Sequence, residues 1–202
     1  MNKCRIYVDK FDLDNIPRGE KKRAQSECGM KVLAFACRDA YGIDIRTLAI
    51  EHGSHGKPYF PDRPALHFNI SHSGNYAAAA VCGYPVGVDV QVVRSVRESV
   101  IEKLCRGAEL EYLSGFKNDS ERARAFIRLW ALKESYVKAI GLGMSFPMDK
   151  ITFDIRAFDP DRPLSGRLSD SEGIFCLRDC GDFVLAACVL EKGSEKKGES
   201  CI

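Results

Sequence analysis

The chain has 202 residues, of which 45% are hydrophobic, and its 30 basic and 28 acidic side chains leave a formal net charge of +2. This length suits one large domain or two small ones with a sizeable core. The nearly balanced charge gives no general case for binding nucleic acid or a membrane surface, so any electrostatic recognition must be local. No apolar run approaches the roughly 20 residues of a membrane-spanning helix.

The nine cysteines are scattered singly and include no C-x-x-C pair. Their number is odd and several lie in apolar runs, which predicts reduced, mostly buried thiols and no disulfide framework. Reduced cysteines are consistent with a cytoplasmic location. The N-terminal segment MNKCRIYVDKFDLD carries acids and has no apolar core region, so no signal peptide is expected.

The first predicted elements are a strand at residues 4–8 and a helix at residues 19–42, separated by a break at Pro17. The early turns of this helix are basic and its later turns are apolar. Its basic residues Lys22 and Arg23 form either a solvated helix face or an anchor for a phosphate group.

A loop rich in glycine and proline follows at residues 52–62 and holds two of the four histidines. These two histidines lack the further ligands that a tetrahedral zinc site needs. Lys57 lies between Gly56, which allows close backbone approach, and Pro58, which fixes the turn. The sequence therefore holds a lysine at the loop tip, where it suits a phosphate.

A strand is predicted from residue 66 into the serine and glycine turn at residues 73–74. Asn69, Ser71 and His72 place amide, hydroxyl and imidazole groups in this one short segment. The pattern favours either binding of a polar ligand or an ordinary strand end capped by hydroxyls. A catalytic Ser/His pair would lack the G-x-S-x-G elbow.

Residues 76–82 and 86–93 predict a hairpin whose second strand carries Asp89 and Gln91 on one face and valines on the other. A carboxylate buried without a partner costs roughly several kcal/mol. Asp89 is therefore predicted to have a cationic partner, which is either a neighbouring arginine such as Arg94 or a metal ion.

Residues 94–116 are predicted to be helical with a break at Gly107. A longer helix follows at residues 118–140, where Trp130, Glu134 and Lys138 recur at every fourth position and so share a stripe about 80° wide. This helix presents a carboxylate and an ammonium together, either as an exposed ion pair or as part of a site. Gly141 is predicted to end it.

The remaining elements are three strands, at residues 151–155, 173–177 and 183–190, and a charged tail at residues 193–202 that is predicted to be disordered. Each half of the chain has a helix followed by strands and ends in an alanine-rich strand. The predicted fold is therefore α+β, with an N-terminal half at residues 1–88 and a C-terminal half at residues 89–192.

Four motifs follow one another in a fixed order and identify a family resemblance. They are Gly56-Lys57-Pro58, Phe68-Asn69-Ile70-Ser71-His72-Ser73, Gly87-Val88-Asp89-Val90 and Trp130-Ala131-Leu132-Lys133-Glu134-Ser135. In this order they closely resemble the 4′-phosphopantetheinyl transferases of the surfactin-synthetase-activating (Sfp) type, over residues 20–150. The length favours this class, a pseudo-twofold monomer with its metal site at the junction of the halves, over the shorter trimeric holo-acyl-carrier-protein synthases.

The resemblance implies a Mg²⁺-dependent transfer, with Mn²⁺ as an alternative cation. The phosphopantetheine arm of coenzyme A would pass to a serine of an acyl or peptidyl carrier protein, with release of adenosine 3′,5′-bisphosphate. Asp89 and Glu134 would hold the metal, Glu134 would accept the serine proton directly or through water, and Lys138 would neutralise the pyrophosphate.

The resemblance also implies which side chains hold the phosphates of coenzyme A. His72 is expected near the 3′-phosphate, and the remaining members of this set are Lys57, Ser71, Lys133, Lys22 and Arg23. The family usually has Asp-x-Glu in the strand, where this chain has Gln91. An amide is a weaker magnesium ligand than a carboxylate, so Gln91 or a water would complete the metal site.

Two other functions use the same residues. The chain could be a non-catalytic module that binds coenzyme A or a nucleotide, for which Gln91 is the sequence indication. It could also be a metal-dependent hydrolase of the same pyrophosphate. The ordered motifs favour transfer.

Overall fold

The computed structural model describes residues 4–159, 161–162, 164–169 and 171–190 of the chain. The α-helices are α1 (Arg18–Tyr41), α2 (Glu98–Leu104), α3 (Ala108–Ser114) and α4 (Asp119–Ile140). The strands are β1 (Arg5–Lys10), β2 (Glu51–His52), β3 (Pro58–Tyr59), β4 (His67–Ser73), β5 (Tyr76–Cys82), β6 (Val86–Val92), β7 (Leu164–Gly166), β8 (Gly173–Asp179) and β9 (Phe183–Leu190). The predicted α+β class is confirmed, and the predicted disordered tail lies outside the described residues.

The first half of the chain forms an antiparallel sheet in the order β1-β5-β4, with α1 packed on one face. α1 runs without a break through Gly29, where a Cβ would lie only 2.6 Å from Cγ2 of Ile70. Glycine at this position therefore allows α1 to approach β4 closely.

The second half forms an antiparallel sheet in the order β6-β9-β8-β7, with α4 packed on one face. In both sheets the first strand of the half pairs with the last, alanine-rich strand: β1 pairs with β5, and β6 pairs with β9. The two halves thus share one sequence of strand, long helix, strand and strand, as the sequence predicts. The predicted division between residues 88 and 89 falls within β6, and these domain limits stay a prediction.

The predicted strand at residues 151–155 is wrong. Ile151, Phe153 and Ile155 are buried, so the alternation in the sequence does reflect one buried face. However, the N–H of Phe153 donates to the Glu109 side chain at 3.0 Å, where a strand would pair with a neighbouring strand. The N–H of Asp154 donates to the carbonyl oxygen of Leu168 at 2.9 Å, but the segment belongs to none of the described sheets.

The two sheets meet where the edge strands β4 and β6 run side by side. Side-chain oxygens of alternate β4 residues accept hydrogen bonds from backbone N–H groups of alternate β6 residues. The donor and acceptor pairs are Val88 N to Asn69 Oδ1 at 2.9 Å, Val90 N to Ser71 Oγ at 3.2 Å and Val92 N to Ser73 Oγ at 3.1 Å. We call this ladder the β4–β6 seam.

Among the described residues, no helix combines the length and the apolar character needed to cross a membrane.

Candidate active site

Gly87 determines how closely α4 packs against β6. A Cβ at this position would lie 2.0 Å from the carbonyl oxygen of Ser135 and 2.4 Å from the backbone nitrogen of Ala139. Any side chain here would therefore collide with the helix backbone, which cannot move aside as a side chain can. Glycine brings the last turns of α4 directly over β6, next to Asp89.

Asp89 is almost completely buried, with 1% of its surface exposed, and its hydrogen-bond partners are a lysine, a serine and a glutamine. Its Oδ1 accepts hydrogen bonds from Lys138 Nζ at 2.5 Å and from Ser71 Oγ at 2.9 Å. Its Oδ2 accepts one from the side-chain nitrogen of Gln91 at 2.9 Å. Of the protein cations, Lys138 and not Arg94 forms the ion pair with Asp89.

Ser71 lies in the β4–β6 seam and uses its whole hydrogen-bonding capacity there. Its hydroxyl donates to Asp89 and accepts from Lys138 Nζ at 2.9 Å and from Val90 N. One donor and two acceptor positions are all that a hydroxyl has. Ser71 therefore positions the carboxylate and the ammonium relative to each other.

Glu134 lies one helical turn before Lys138 and is partly buried. Burial raises the pKa of its carboxyl group, the negative charge of Asp89 raises it further, and Lys138 opposes the shift. The exposed ion pair between Glu134 and Lys138 that helical spacing allowed is absent from the described residues, because Lys138 turns to Asp89 instead. Glu134 is left as a partly buried carboxylate beside a second one.

These two carboxylates suit Mg²⁺. The ion is commonly held by one or two carboxylates together with phosphate oxygens of a substrate. The mutual repulsion that raises the pKa of Glu134 would be relieved by a cation bound between the two groups. The described residues contain no group of three or more His, Cys, Asp or Glu side chains arranged to hold a metal.

His72 and Lys22 lie beside this cluster, His72 as an imidazole and Lys22 as an ammonium group. Burial is the main cause that lowers the pKa of the His72 imidazole, and the charges of Lys138 and Lys22 lower it further. A bound anion near His72 would offset the effect of these two ammonium groups and favour the protonated imidazole. Arg23 instead pairs with Glu27 on the exposed side of α1.

The side chain of Lys57 turns away from the loop tip and points toward β6 and the end of α4. Its ammonium donates to the carbonyl oxygens of Val86 at 3.1 Å and Ala139 at 2.8 Å, and burial lowers its pKa to about 8. A Cβ on Gly141 would lie 3.2 Å from the Lys57 side chain, so this lysine covers the glycine that ends α4. In this position Lys57 caps the C-terminus of α4.

Lys133 is not brought to the cluster. It is buried on the opposite side of α4, where its ammonium pairs with Glu109 at 2.9 Å and donates to the carbonyl oxygens of Met148 and Ile151. Glu109 also accepts from the N–H of Phe153. This network joins α3, α4 and the extended segment after them.

We expect Lys133→Met to lower the free energy of unfolding by about 3 to 5 kcal/mol, because Glu109 would remain buried without its cation. Chemical denaturation measures this loss. Lys117→Met, at an exposed lysine, serves as the control and should change little. If Lys133→Met kept its stability but lost affinity for coenzyme A, the role that the family resemblance gives Lys133 would be supported instead.

The sequence interpretation missed Glu109 and the role of Gly87. Glu109 lies in a short helix whose other charged residue, Glu111, is exposed, so no pattern marks it as buried. The Gly87 signal was present, since a glycine inside a valine-rich strand indicates close approach of another backbone.

Comparisons with known proteins agree on one family. A family model described as "ACPS: 4'-phosphopantetheinyl transferase superfamily" matches residues 85–188, which is half of the chain. The chain is 31% identical over 157 residues to a 4'-phosphopantetheinyl transferase of Bacillus subtilis, with 78% of this chain and 64% of that protein covered. It is 33% identical over 131 residues to the 4'-phosphopantetheinyl transferase Sfp of Bacillus subtilis (strain 168), with 65% and 57% covered.

A solved structure of Thermotoga maritima holo-[acyl-carrier-protein] synthase also matches, with 23% identity, a TM-score of 0.41, and 54% of this chain and 64% of that chain covered. The chain spans less than two thirds of the length of the curated relatives named above. The match of the family model includes β6, with Asp89, and α4, with Glu134 and Lys138. On this match, the chain belongs to the 4'-phosphopantetheinyl transferase superfamily.

Proposed function

We propose that this protein transfers the 4′-phosphopantetheine arm of coenzyme A to a serine hydroxyl of an apo acyl or peptidyl carrier protein, releasing adenosine 3′,5′-bisphosphate. The observation that supports this most directly is the packing of α4 on β6 across Gly87. This packing brings Glu134 and Lys138 of α4 close to Asp89, and the charges of Asp89 and Lys138 also act on the imidazole of His72. Family membership supports the same reaction class.

Asp89 and Glu134 would hold Mg²⁺, or Mn²⁺ in its place, and the cation would supply charge neutralisation at the pyrophosphate. Gln91 is the proposed third ligand. Its amide nitrogen donates to Asp89, so it would have to turn its amide oxygen toward the metal to act as one.

The chemical step breaks the bond between the phosphopantetheine phosphorus and the bridging oxygen of adenosine 3′,5′-bisphosphate, and forms a bond from the same phosphorus to the serine oxygen. Glu134 is placed to accept the serine proton, because its raised pKa makes it a stronger base than an ordinary carboxylate. Lys138 is placed to stabilise the negative charge that develops on the leaving group.

His72 and Lys22 are the proposed contacts for the 3′-phosphate, since both lie on the cationic side of the cluster. Lys57, Ser71, Lys133 and Arg23 remain in the proposed coenzyme A site on the strength of the family resemblance. Lys57, Ser71 and Lys133 already donate to protein oxygens, so these three must change partners to bind a phosphate directly.

We expect His72→Ala to raise KM for coenzyme A roughly 10- to 100-fold, because hydrogen bonds to charged groups contribute about 1.5 to 3 kcal/mol. KM for dephospho-coenzyme A, which lacks the 3′-phosphate, should not change. His52→Ala, at an exposed histidine, is the control for both substrates. If His72→Ala raised KM equally for both substrates, His72 would not contact the 3′-phosphate.

The carrier-protein assay tests the reaction itself. An apo carrier protein is incubated with this protein, coenzyme A and Mg²⁺, with and without chelator, and its intact mass is measured. We expect a gain of one phosphopantetheine arm that chelator prevents. Coenzyme A bound unchanged would support the binding module, and phosphopantetheine released to water would support the hydrolase.

A monomer in the cytoplasm is the proposed setting. Ser71 and His72 come from the first half and Asp89, Glu134 and Lys138 from the second, so one chain supplies the cluster. The cysteines of the described ranges are free, which supports a reducing compartment. We propose coenzyme A and the carrier protein as partners, and neither nucleic acid nor a membrane.

A further inference from the structure

Two cysteines face each other at the end of the first sheet, away from the Asp89 cluster. Cys4 directly precedes β1, and Cys82 is the last residue of β5. The register pairs Arg5 with Val81, and one further step places Cys4 opposite Cys82. Opposed residues of antiparallel strands have Cα atoms about 4.5 to 5.5 Å apart, which is within the range found for disulfides.

The two side chains also interact. Cys4 packs against the buried cluster that contains Cys82, so the two thiols lie close enough to influence each other's ionisation. The interaction with the Cys4 thiol is the main cause that lowers the pKa of Cys82, against the opposing effect of burial. The same interaction is the main cause that raises the pKa of Cys4 above its usual range. The interaction between the two thiols thus favours loss of a first proton from the pair and opposes loss of a second.

The surroundings distinguish the two thiols. Cys82 is 1% exposed, whereas Cys4 is only partly buried, so a small solute reaches the pair from the Cys4 side. Cys176 of β8 lies near enough for its charge to raise the pKa of Cys4, and Tyr41 of α1 is close to both members of the pair. His67 lies opposite Cys82 on its other side.

We propose that Cys4 and Cys82 form a redox-active pair, which a peroxide converts into a reversible disulfide between β1 and β5. A thiolate with an adjacent thiol is the arrangement found in redox-sensing cysteines. This inference concerns a site apart from the Asp89 cluster and does not depend on the proposed transfer reaction.

The oxidation balances with one molecule of hydrogen peroxide. The sulfur of Cys4, which is the more exposed member, attacks one peroxide oxygen as its proton passes to Cys82; the O–O bond breaks, and the departing hydroxide takes up a proton to become water. The resulting sulfenic acid is attacked at sulfur by the second cysteine, which loses its proton as the S–S bond forms and a second water leaves. Two thiols and one peroxide thus give one disulfide and two waters.

The disulfide joins strands that are already paired over residues 5–10 and 76–81. Little rearrangement is needed to form it, so we expect the oxidised protein to keep its fold. Reduction by a dithiol reagent should return both thiols.

Peptide mapping after limited oxidation tests the proposal on the full chain. The reduced protein is treated with one equivalent of hydrogen peroxide at neutral pH, the remaining thiols are alkylated, and the non-reduced digest is analysed by mass spectrometry. We expect a Cys4–Cys82 linked peptide that has lost two hydrogen atoms and disappears on reduction. It should form before Cys180 is oxidised, because partial burial raises the pKa of the Cys180 thiol and so favours its less reactive protonated form.

Two variants and a control complete the test. Cys4→Ser and Cys82→Ser should each abolish the linked peptide, and Cys180→Ser should leave it unchanged. If the buried substitution at Cys82 prevents folding, Cys4→Ser alone decides the outcome. The proposal is overturned if peroxide modifies Cys180 before the pair, or if Cys4 links to Cys176 and not to Cys82.

Discussion

Replacing Glu134 by glutamine is expected to lower the rate of phosphopantetheine transfer roughly 100- to 10,000-fold, which is the contribution typical of a general base. The amide has nearly the same shape as the carboxylate, but it cannot accept the serine proton and is a weaker ligand for Mg²⁺. The rate is measured by intact-mass analysis of the carrier protein under single-turnover conditions.

The same substitution should leave the fold intact. The raised pKa of Glu134 shows that its negative charge is unfavourable in the folded protein, so a neutral side chain removes repulsion from Asp89. The melting temperature should therefore stay the same or rise. Glu121→Gln, at an exposed position in the first turn of α4, is the matched control. If Glu134→Gln transferred phosphopantetheine at a rate within tenfold of the unmodified protein, Glu134 would not be the general base.

Replacing Gly87 by alanine is expected to have the largest structural effect. The added Cβ would lie 2.0 Å from the Ser135 carbonyl oxygen, so α4 must move away from β6 or the fold must loosen. We expect a loss of about 3 kcal/mol or more, because a contact with backbone cannot be relieved by a rotamer change. For a protein of this size that corresponds to a fall of roughly 6 to 12 °C in melting temperature, measured by thermal unfolding.

Transfer should also fall in Gly87→Ala, at temperatures where the variant is folded. A displacement of α4 by about 1 Å would move Glu134 and Lys138 relative to Asp89 and could cost about 100-fold in rate. Gly19→Ala is the control, because a Cβ on Gly19 meets no atom within 4 Å. That variant should be as stable as the parent or slightly more stable, since alanine favours a helix. A Gly87→Ala protein with unchanged stability and rate would mean that the close approach of α4 and β6 is not required.

Much of the fold could be predicted from the sequence because the strong signals are local. The periodicity of residues 118–140 and the glycine after them predicted α4 and its end, and the alternation at residues 86–93 predicted β6. The prediction at residues 151–155 failed because alternation reports a buried face and not a hydrogen-bonding partner. Whether an extended segment joins a sheet depends on its neighbours, which are distant in the chain.

The sequence indicated which residues belong to the candidate site, but not which of them pair with one another. Asp89 needed a cation, and the sequence offered a neighbouring arginine such as Arg94 or a metal, whereas the structure pairs Asp89 with Lys138. The pairing with Lys138 follows from the distance between α4 and β6, which Gly87 sets. Lys57 was predicted at the loop tip because a glycine and a proline flank it, and no local pattern indicates that its side chain turns back onto α4.

The β4–β6 seam has a consequence for how the protein exchanges its amide hydrogens. The N–H groups of Val88, Val90 and Val92 have no strand on that side and are held by side-chain oxygens. An opening of the junction between the sheets would expose these three amides to solvent together, while both sheets keep their own backbone pairing. Exchange rates at these valines would then report how often the two halves separate, and each such separation would release Ser71 from the carboxylate of Asp89.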